Sequence, residues 1–311
     1  MDILKIKPAC KDYIWGGDRL KKDYGVESDL NPLAEAWVLS CHPEGLSLID
    51  EGGTKGRTLK EYIDEKGPGV LGKNAASFKT FPMLVKLIDA AKDLSIQVHP
   101  DDEYALKHEN ENGKTEFWYI LDSAKDAYIY LGFKKSISDE EFRERIKNNS
   151  ILEVLNRVPV KKGDVFFIEP GTLHAIGGGT VLAEVQQNSN LTYRIYDYGR
   201  KGPDGKERTL HIDKALDVTR LKPAAERKSE GDILARSRYF VTRLADIEGS
   251  FTLDTSEDSF THVLVVSGEG SLSSGEEKES SYKKGDSFFI PAVNGSLVFK
   301  GDGEMLISVI P

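Results

Sequence analysis

The sequence predicts a mainly β protein made of two related β domains, and two observations carry this prediction. First, the apolar segments are short, rich in β-branched and aromatic residues, and separated by Gly, Asn, Asp and Lys turns. This pattern is typical of barrels and sandwiches. Second, residues 160–176 (VKKGDVFFIEPGTLHAI) are repeated as residues 282–299 (YKKGDSFFIPAVNGSLVF), with the shared run Lys-Lys-Gly-Asp-x-Phe-Phe-Ile. Two copies of one strand-turn-strand segment indicate two related units.

The predicted elements follow one another as many strands with few helices. From the N-terminus, the strand segments are EAWVLSC, FPMLVKLI, LSIQVH, TEFWYIL, AYIYLGF, DVFFIE, VLAEVQQ, YFVTRLA, HVLVVSG, SFFIPA and MLISVI. The segment RTLKEYIDEKG predicts one helix. Residues 136–158 contain two capping-box spacings, Ser138 with Glu141 and Ser150 with Glu153. We therefore expect a two-helix insertion between strands.

The repeated segment resembles the second conserved motif of the cupin superfamily. A Gly-Asp turn, a hydrophobic strand, and then Pro and Gly before a second strand are similar to that motif, whose fold is a small jelly-roll barrel. His174 of the first copy stands opposite Ser296 of the second copy. The predicted fold is therefore two cupin-type (jelly-roll) β-barrels with a small helical insertion. We expect residues 1–215 to form a catalytic barrel with the insertion at about 136–158, and residues 216–311 to form a cupin-like barrel without a metal site.

Composition excludes several classes of protein. The 311 residues are 39% hydrophobic and 30% charged, and no apolar run approaches the ~20 residues of a membrane span. The N-terminus lacks an apolar signal segment, so we expect a soluble, cytoplasmic protein. Two cysteines are too few for a disulfide framework or a thiolate zinc site. The net charge of -9 argues against partners such as nucleic acid or anionic lipid.

One strand and two later segments supply a candidate metal site. Positions i and i+2 of a strand point to the same face, so Gln97 and His99 in LSIQVHP can reach one ion. Glu116 begins the TEFWYIL strand region, and His174 comes from the repeated hairpin. Two His with one Glu is a recurrent ligand set for catalytic zinc, which keeps a position open for water or substrate. A single carboxylate leaves Zn(II) with about one positive charge, which suits it to stabilise an oxyanion.

Other polar residues are not predicted as ligands. His42 and His108 lie in turn-like contexts that indicate surface positions. His262 stands alone at the place where the repeat would put Glu116. Asp101 and Asp102, directly after the LSIQVHP strand, are interpreted as turn residues.

Seven segments together resemble the type I, zinc-dependent mannose-6-phosphate isomerases in their short bacterial form. They are YIWGGDRL, AEAWVLSCHPEG, FPMLVKLIDA, LSIQVHPDD, GKTEFWYIL, GTLHAIG and AEVQQNSNLTYRIYDYGR. The resemblance implies a single zinc ion per chain, with the matched Gln97, His99, Glu116 and His174 as its ligands. It also implies an interconversion of mannose 6-phosphate and fructose 6-phosphate through a cis-enediol(ate). The expected partner is thus a small sugar phosphate, and the expected state is a monomer or homodimer.

The same resemblance implies three catalytic residues. Arg194 matches the active-site Arg of the Tyr-Arg-x-Tyr-Asp segment, and Lys114 and Glu184 match two further polar groups of the active site. The general base remains open between Glu184, Lys114 and a water molecule at the metal. One departure is that the chain has Phe-Ile-Glu-Pro-Gly where many members have Phe-Ile-Pro-Ala-Gly; the Gly-x-x-His spacing before His174 is kept.

Two alternative functions use the same residues. Cupin oxygenases bind Fe(II) through two or three His and a carboxylate, so a metal-dependent oxygenase is the main enzyme alternative. A non-catalytic sugar-binding cupin is the second. It is disfavoured because the four ligands and Arg194 are all present.

Overall fold

The computed structural model describes residues 2–202, 205–226, 229–275 and 279–311. Within these ranges the strands are β1 Leu4–Lys7, β2 Ala9–Lys11, β3 Glu35–Leu39, β4 Leu48–Ile49, β5 Met83–Ala90, β6 Ile96–Val98, β7 Glu116–Ser123, β8 Tyr128–Phe133, β9 Leu155–Pro159, β10 Val165–Ile168, β11 His174–Ile176, β12 Thr180–Gln187, β13 Tyr193–Tyr196, β14 Ile233–Arg236, β15 Val241–Thr255, β16 Thr261–Ser273, β17 Ser280–Lys283, β18 Ser287–Ile290 and β19 Gly295–Val309. The α-helices are α1 Arg19–Tyr24, α2 Leu59–Lys66, α3 Asp102–His108, α4 Asp139–Lys147 and α5 Ile212–Val218. No helix in these ranges is long and apolar enough to cross a membrane.

The strands form three sheets, and each of the eleven predicted segments contributes a strand. The central sheet has the order β10-β7-β12-β5-β3-β2, and the site sheet has the order β13-β6-β11-β8-β9. The C-terminal sheet has the order β14-β15-β19-β16-β18-β1-β4, with β17 paired to β16. The mainly β, cupin-type fold is therefore confirmed. The described part of the central sheet does not pair with the site sheet, so these two sheets face each other without closing into a hydrogen-bonded barrel.

The central sheet is buried on both of its faces. Strands β5 and β12 are buried at every position. Alternate residues such as Leu87 pack with Phe289 and Leu306 of the C-terminal sheet. The intervening residues, such as Ile88, pack with Ile129 of the site sheet. Burial on both faces explains why these strands are almost continuously apolar in sequence. The few charged residues in them are therefore buried and need partners.

The N-terminal strand β1 joins the C-terminal sheet. It pairs antiparallel with β18, with Leu4 opposite Phe289, and it pairs with β4 along its other edge. The first residues of the chain thus cover an edge of the distant sheet. The division of the chain at residue 215 stays a prediction.

One predicted helix is confirmed, and the predicted insertion contains one helix instead of two. Thr58 caps α2 in a reciprocal capping box with Glu61. Ser138 caps α4 by accepting a hydrogen bond from the backbone of Glu141. The second predicted helix is wrong: residues Ile151–Glu153 form a single 3-10 turn, and Ser150 caps nothing. The residues that follow pair with β8 as strand β9, so tertiary pairing overrides the local capping signal.

Candidate metal centre

Three neighbouring strands of the site sheet place three polar side chains in one row. His174 on β11 lies directly opposite Gln97 on β6, and Arg194 on β13 lies opposite Gln97 on the other side. Directly opposed residues of antiparallel strands project from the same face of a sheet. The row therefore brings together residues that are far apart in sequence, on the face that looks toward the central sheet.

Glu116 meets two histidines between the facing sheets. Its Oε2 lies 3.5 Å from Nε2 of His99, and its Oε1 lies 3.3 Å from Nε2 of His174. All three side chains are buried, and their candidate ligand atoms lie within 4.8 Å of one another. The side-chain amide nitrogen of Gln97 lies 3.4 Å from Nε2 of His174. A flip of this amide would exchange its nitrogen and oxygen positions. The structure thus brings all four predicted ligand residues to one place.

Both histidines are oriented by backbone carbonyls. Nδ1 of His99 lies 2.8 Å from the carbonyl of Leu191, and Nδ1 of His174 lies 2.8 Å from the carbonyl of Thr172. Because a carbonyl can only accept, Nδ1 carries the proton in each ring, and the Nε2 lone pairs point at Glu116. Burial lowers the pKa of His99 well below its ordinary value and lowers the pKa of His174 to about 4. Both rings are therefore neutral at pH 7, the state in which imidazole binds metal.

The residues present fit a divalent metal ion. Among the described residues, neither Nε2 of His99 nor Oε1 of Glu116 has a hydrogen-bond partner, although both atoms are buried. Buried polar atoms without partners are rare because they are costly. Here they converge with Nε2 of His174 on one point, and nitrogen with carboxylate oxygen is a donor set for Zn(II) or Fe(II).

From Glu116 of this cluster, a row of three glutamates alternates with two lysines along the central sheet. Nζ of Lys114 lies 2.9 Å from Oε2 of Glu116 and 3.7 Å from Oε1 of Glu184. Nζ of Lys86 lies 3.2 Å from Oε1 of Glu184 and 3.7 Å from Oε2 of Glu35. The indole of Trp118 donates to Oε2 of Glu184 at 2.9 Å. Sequence reasoning missed Lys86 and Glu35; the available signal was a charge in FPMLVKLI, an otherwise apolar strand.

The environment separates the pKa values of the two central carboxylates. Burial, with repulsion from Glu184, raises the pKa of Glu116 to about 7, although Lys114 and Lys86 act to lower it. Burial would also raise the pKa of Glu184, but the charges of Lys114 and Lys86 outweigh it and lower that pKa to about 2. Glu184 is thus held ionised, while Glu116 requires a further positive charge to be held so. A metal ion at the histidines would supply that charge.

A cavity of about 240 Å³ opens between the central and site sheets. Its wall includes Gln97, Lys114 and Glu184 near the histidines, and Arg194 and Arg208. Nε of Arg194 donates to the hydroxyl of Ser95 at 3.1 Å, and its Nη1 donates to the carbonyl of Thr209 at 3.1 Å. Burial lowers the pKa of Arg194, yet a guanidinium stays charged at neutral pH. The cavity therefore lies beside the candidate metal cluster, which Gln97 and Lys114 separate from it, and carries fixed cations on its wall.

Arg208 is a cavity residue that sequence reasoning missed. Its Nε and Nη2 donate to the two carboxylate oxygens of Asp197 at 2.7 and 2.5 Å, which fixes the guanidinium plane. Arg208 lies outside the named strands. Neither strand register nor spacing could have placed it beside Arg194.

The structure also tests the predictions for three histidines outside the cluster. His42 is buried, so its predicted surface position is wrong; its ring packs edge-on against Trp37, with centroids 5.7 Å apart. Exposed His108 stacks on Tyr104, as the turn-like context predicts for a surface residue. His262 is buried and lies 2.9 Å from the hydroxyl of Ser287.

A jelly-roll pair of sheets with a buried His-Glu-His cluster beside a polar cavity defines a cupin-type protein with a site for a divalent metal. The family model described as "Phosphomannose isomerase type I, catalytic domain" matches residues 3–128, and the one described as "Mannose-6-phosphate isomerase, cupin domain" matches residues 231–310. The chain belongs to the type I phosphomannose isomerase family.

Full-length relatives and solved structures agree with this membership. The chain is 38% identical to the mannose-6-phosphate isomerase of Streptococcus mutans, covering 95% of this chain and 94% of that protein. It is 39% identical to mannose-6-phosphate isomerase ManA of Bacillus subtilis, covering 98% of each. A crystal structure of mannose 6-phosphate isomerase from Bacillus subtilis superposes with a TM-score of 0.91 at 34% identity, covering 99% of each chain. The apo form from Salmonella typhimurium, at 20% identity and a TM-score of 0.78 over 99% of each chain, shares the fold.

A Gln97→Glu variant tests the charge of the metal centre. The new carboxylate has nearly the same shape and lies beside His174, so we expect the variant to bind zinc. A second anionic ligand would remove the positive charge that Zn(II) with a single carboxylate keeps, and this would weaken the stabilisation of a developing oxyanion. We expect kcat to fall by about ten- to a hundredfold, measured in a coupled isomerase assay at equal zinc content. Unchanged turnover at full zinc occupancy would contradict the charge argument.

Proposed function

We propose that this chain is a zinc-dependent mannose-6-phosphate isomerase, which reversibly converts mannose 6-phosphate into fructose 6-phosphate. The observation that carries the proposal is the convergence of His99, Glu116 and His174 directly beside a cavity with fixed cations on its wall. Relatives that match the chain over nearly its whole length bear this name. The cytoplasmic location and the state as monomer or homodimer belong to the same proposal.

Gln97, His99, Glu116 and His174 would hold the zinc ion. When bound, zinc acts as a Lewis acid that stabilises negative charge on the sugar oxygens at C1 and C2 during the proton transfer. The carbonyls of Leu191 and Thr172 keep the two imidazoles in the tautomer that suits this task.

Charge balance supports a divalent cation at this place. Glu35, Glu116 and Glu184 supply three carboxylates, and Lys86 and Lys114 supply two ammonium groups. With neutral histidines this group has one negative charge, which Zn(II) turns into one positive charge. A positive centre suits an anionic sugar phosphate.

We assign Lys114 and Glu184 different tasks in the reaction. Oε1 of Glu184 lies 3.2 Å from Nζ of Lys86 and 3.7 Å from Nζ of Lys114, so we assign Glu184 the task of balancing the charge of the two lysines. Lys114, between two carboxylates, donates hydrogen bonds to the sugar oxygens as they gain negative charge.

Arg194 and Arg208 hold the phosphate in this proposal. Guanidinium groups bind phosphate oxygens in bidentate fashion. Both line the cavity, and both are fixed by hydrogen bonds to Ser95 and Asp197. With phosphate at the arginines and the carbonyl end at the zinc ligands, a sugar phosphate would be bound at two places at once.

The two alternative functions are not favoured. A cupin oxygenase would use the same donor set with Fe(II), but the full-length relatives carry the isomerase name. A non-catalytic sugar-binding cupin would not need the buried lysine and glutamate pairs beside the metal cluster.

Metal removal tests the proposal directly. We expect a chelator to abolish the conversion of mannose 6-phosphate in a coupled assay, and stoichiometric zinc to restore it, because the oxyanion loses its Lewis acid. Metal content is measured by mass spectrometry on the purified protein. Protein that holds iron without zinc, consumes oxygen and leaves mannose 6-phosphate unchanged would overturn the proposal in favour of the oxygenase.

A further inference from the structure

The carboxylate of Asp102 joins three separate parts of the chain. Its Oδ1 accepts the backbone N–H of Gly113 at 2.9 Å and the side-chain amide of Gln187 at 2.5 Å. Its Oδ2 accepts the hydroxyl of Tyr239. Asp102 is the first residue of α3, which Asp101 caps, so these two residues begin a helix and do not form the predicted turn. The helix start fixes where the carboxylate points.

Two of the three donors belong to segments that carry the metal centre. Gly113 directly precedes Lys114, whose backbone N–H donates to the carbonyl of Pro100 at 3.0 Å. The backbone N–H of Gln187 donates to the carbonyl of Thr115 at 2.9 Å. A Cβ on Gly113 would lie 2.4 Å from the backbone carbon of Asp101, so this approach requires glycine. Asp102 thus fixes the backbone on both sides of Lys114.

The third donor comes from the part of the chain that supplies most of the C-terminal sheet. Tyr239 lies in the turn between β14 and β15, where Phe240 is fully buried in the core shared with the central sheet. Ser237 accepts the backbone N–H groups of both residues at 3.1 Å. The ring of Tyr239 packs near Phe78, with centroids 6.0 Å apart. The hydroxyl is therefore held rigidly against Asp102.

We infer that the C-terminal unit positions the metal centre through Tyr239 and Asp102, and that both are positioning residues for Lys114 and Glu116. A phenylalanine would fill the same space as Tyr239, so packing alone does not require the hydroxyl. The hydroxyl adds a hydrogen bond to the carboxylate that fixes the Gly113–Lys114 backbone. The expected change in kcat rests on the proposed isomerase function. The expected change in backbone order near Lys114 does not.

The variant Tyr239→Phe tests the inference, and Tyr62→Phe is its matched control. The hydroxyl of Tyr62 also donates to an aspartate, Asp2, at 3.0 Å, but on α2 and outside the cavity wall. In the metal-free protein we expect amide hydrogen exchange of residues 112–116 to accelerate at least about fivefold in Tyr239→Phe. The same amides should exchange at the wild-type rate in Tyr62→Phe.

Turnover gives a second readout at equal zinc occupancy and well below the melting temperature. We expect kcat of Tyr239→Phe to fall roughly five- to tenfold with KM little changed, the size of one lost hydrogen bond. An Asp102→Ala background should abolish the effect of Tyr239→Phe, because the hydroxyl acts through that carboxylate.

Three outcomes would overturn the inference: wild-type exchange of residues 112–116 in Tyr239→Phe, unchanged kcat in an active enzyme, or an equal effect of Tyr239→Phe in the Asp102→Ala background. A wild-type protein inactive on mannose 6-phosphate would refute the proposed function instead, and the exchange measurement would still decide this inference.

Discussion

Replacing His174 by alanine is expected to remove zinc and isomerase activity together. His174 is fully buried, and its Nε2 faces Glu116 at 3.3 Å and the amide of Gln97 at 3.4 Å. Without this imidazole the site keeps one nitrogen donor, His99, beside the carboxylate of Glu116. We expect zinc affinity to fall more than about a hundredfold and kcat/KM to fall by about a thousandfold or more.

The measurement pairs metal content with a coupled isomerase assay on the same preparation. His108→Ala is the control, because His108 is exposed and stacks only on the surface helix α3; it should keep both zinc and activity. Circular dichroism and the melting temperature of the metal-free proteins separate ligand loss from misfolding. A folded His174→Ala protein with one zinc ion and wild-type turnover would refute the ligand assignment.

Local patterns were sufficient to predict much of the site. The i, i+2 spacing of Gln97 and His99 depends only on strand geometry, and the repeated hairpin identifies His174. The strands of the central sheet could be predicted because burial on both faces leaves a continuous apolar run. These inferences need no knowledge of which strand lies beside which.

Pairing between distant strands could not be predicted. The row of His174, Gln97 and Arg194 depends on the register of β11 and β13 on β6, and register is a property of the folded sheet. The predicted surface position of His42 was wrong for a related reason. Its turn-like sequence gives no sign that Trp37 and other residues close in space bury it. The charge of Lys86 in an apolar strand can be seen in the sequence, but its ion pair with Glu184 depends on the pairing of strands β5 and β12.

Replacing Arg194 by alanine is expected to keep zinc and lose turnover, whereas chelation removes both. Arg194 lies beside Gln97 in the row but is fixed through Ser95 and Thr209, not through the metal cluster. The four predicted ligand residues therefore keep their contacts in the variant. The cavity loses a fixed guanidinium, and bidentate charge-assisted hydrogen bonds to an oxyanion or phosphate are among the strongest that proteins make.

We expect Arg194→Ala to lower kcat/KM by about a hundred- to a thousandfold at full zinc occupancy.

Comparison with Arg208→Ala shows whether Arg194 binds the phosphate or stabilises charge at the reacting carbons. If both arginines hold the phosphate, each variant raises KM and the binding of inorganic phosphate weakens in both. If Arg194 instead stabilises charge at the reacting carbons, its variant lowers kcat while phosphate binding persists. Full activity of Arg194→Ala would exclude both tasks, because a fixed cation that contacts the substrate cannot be removed without lowering activity.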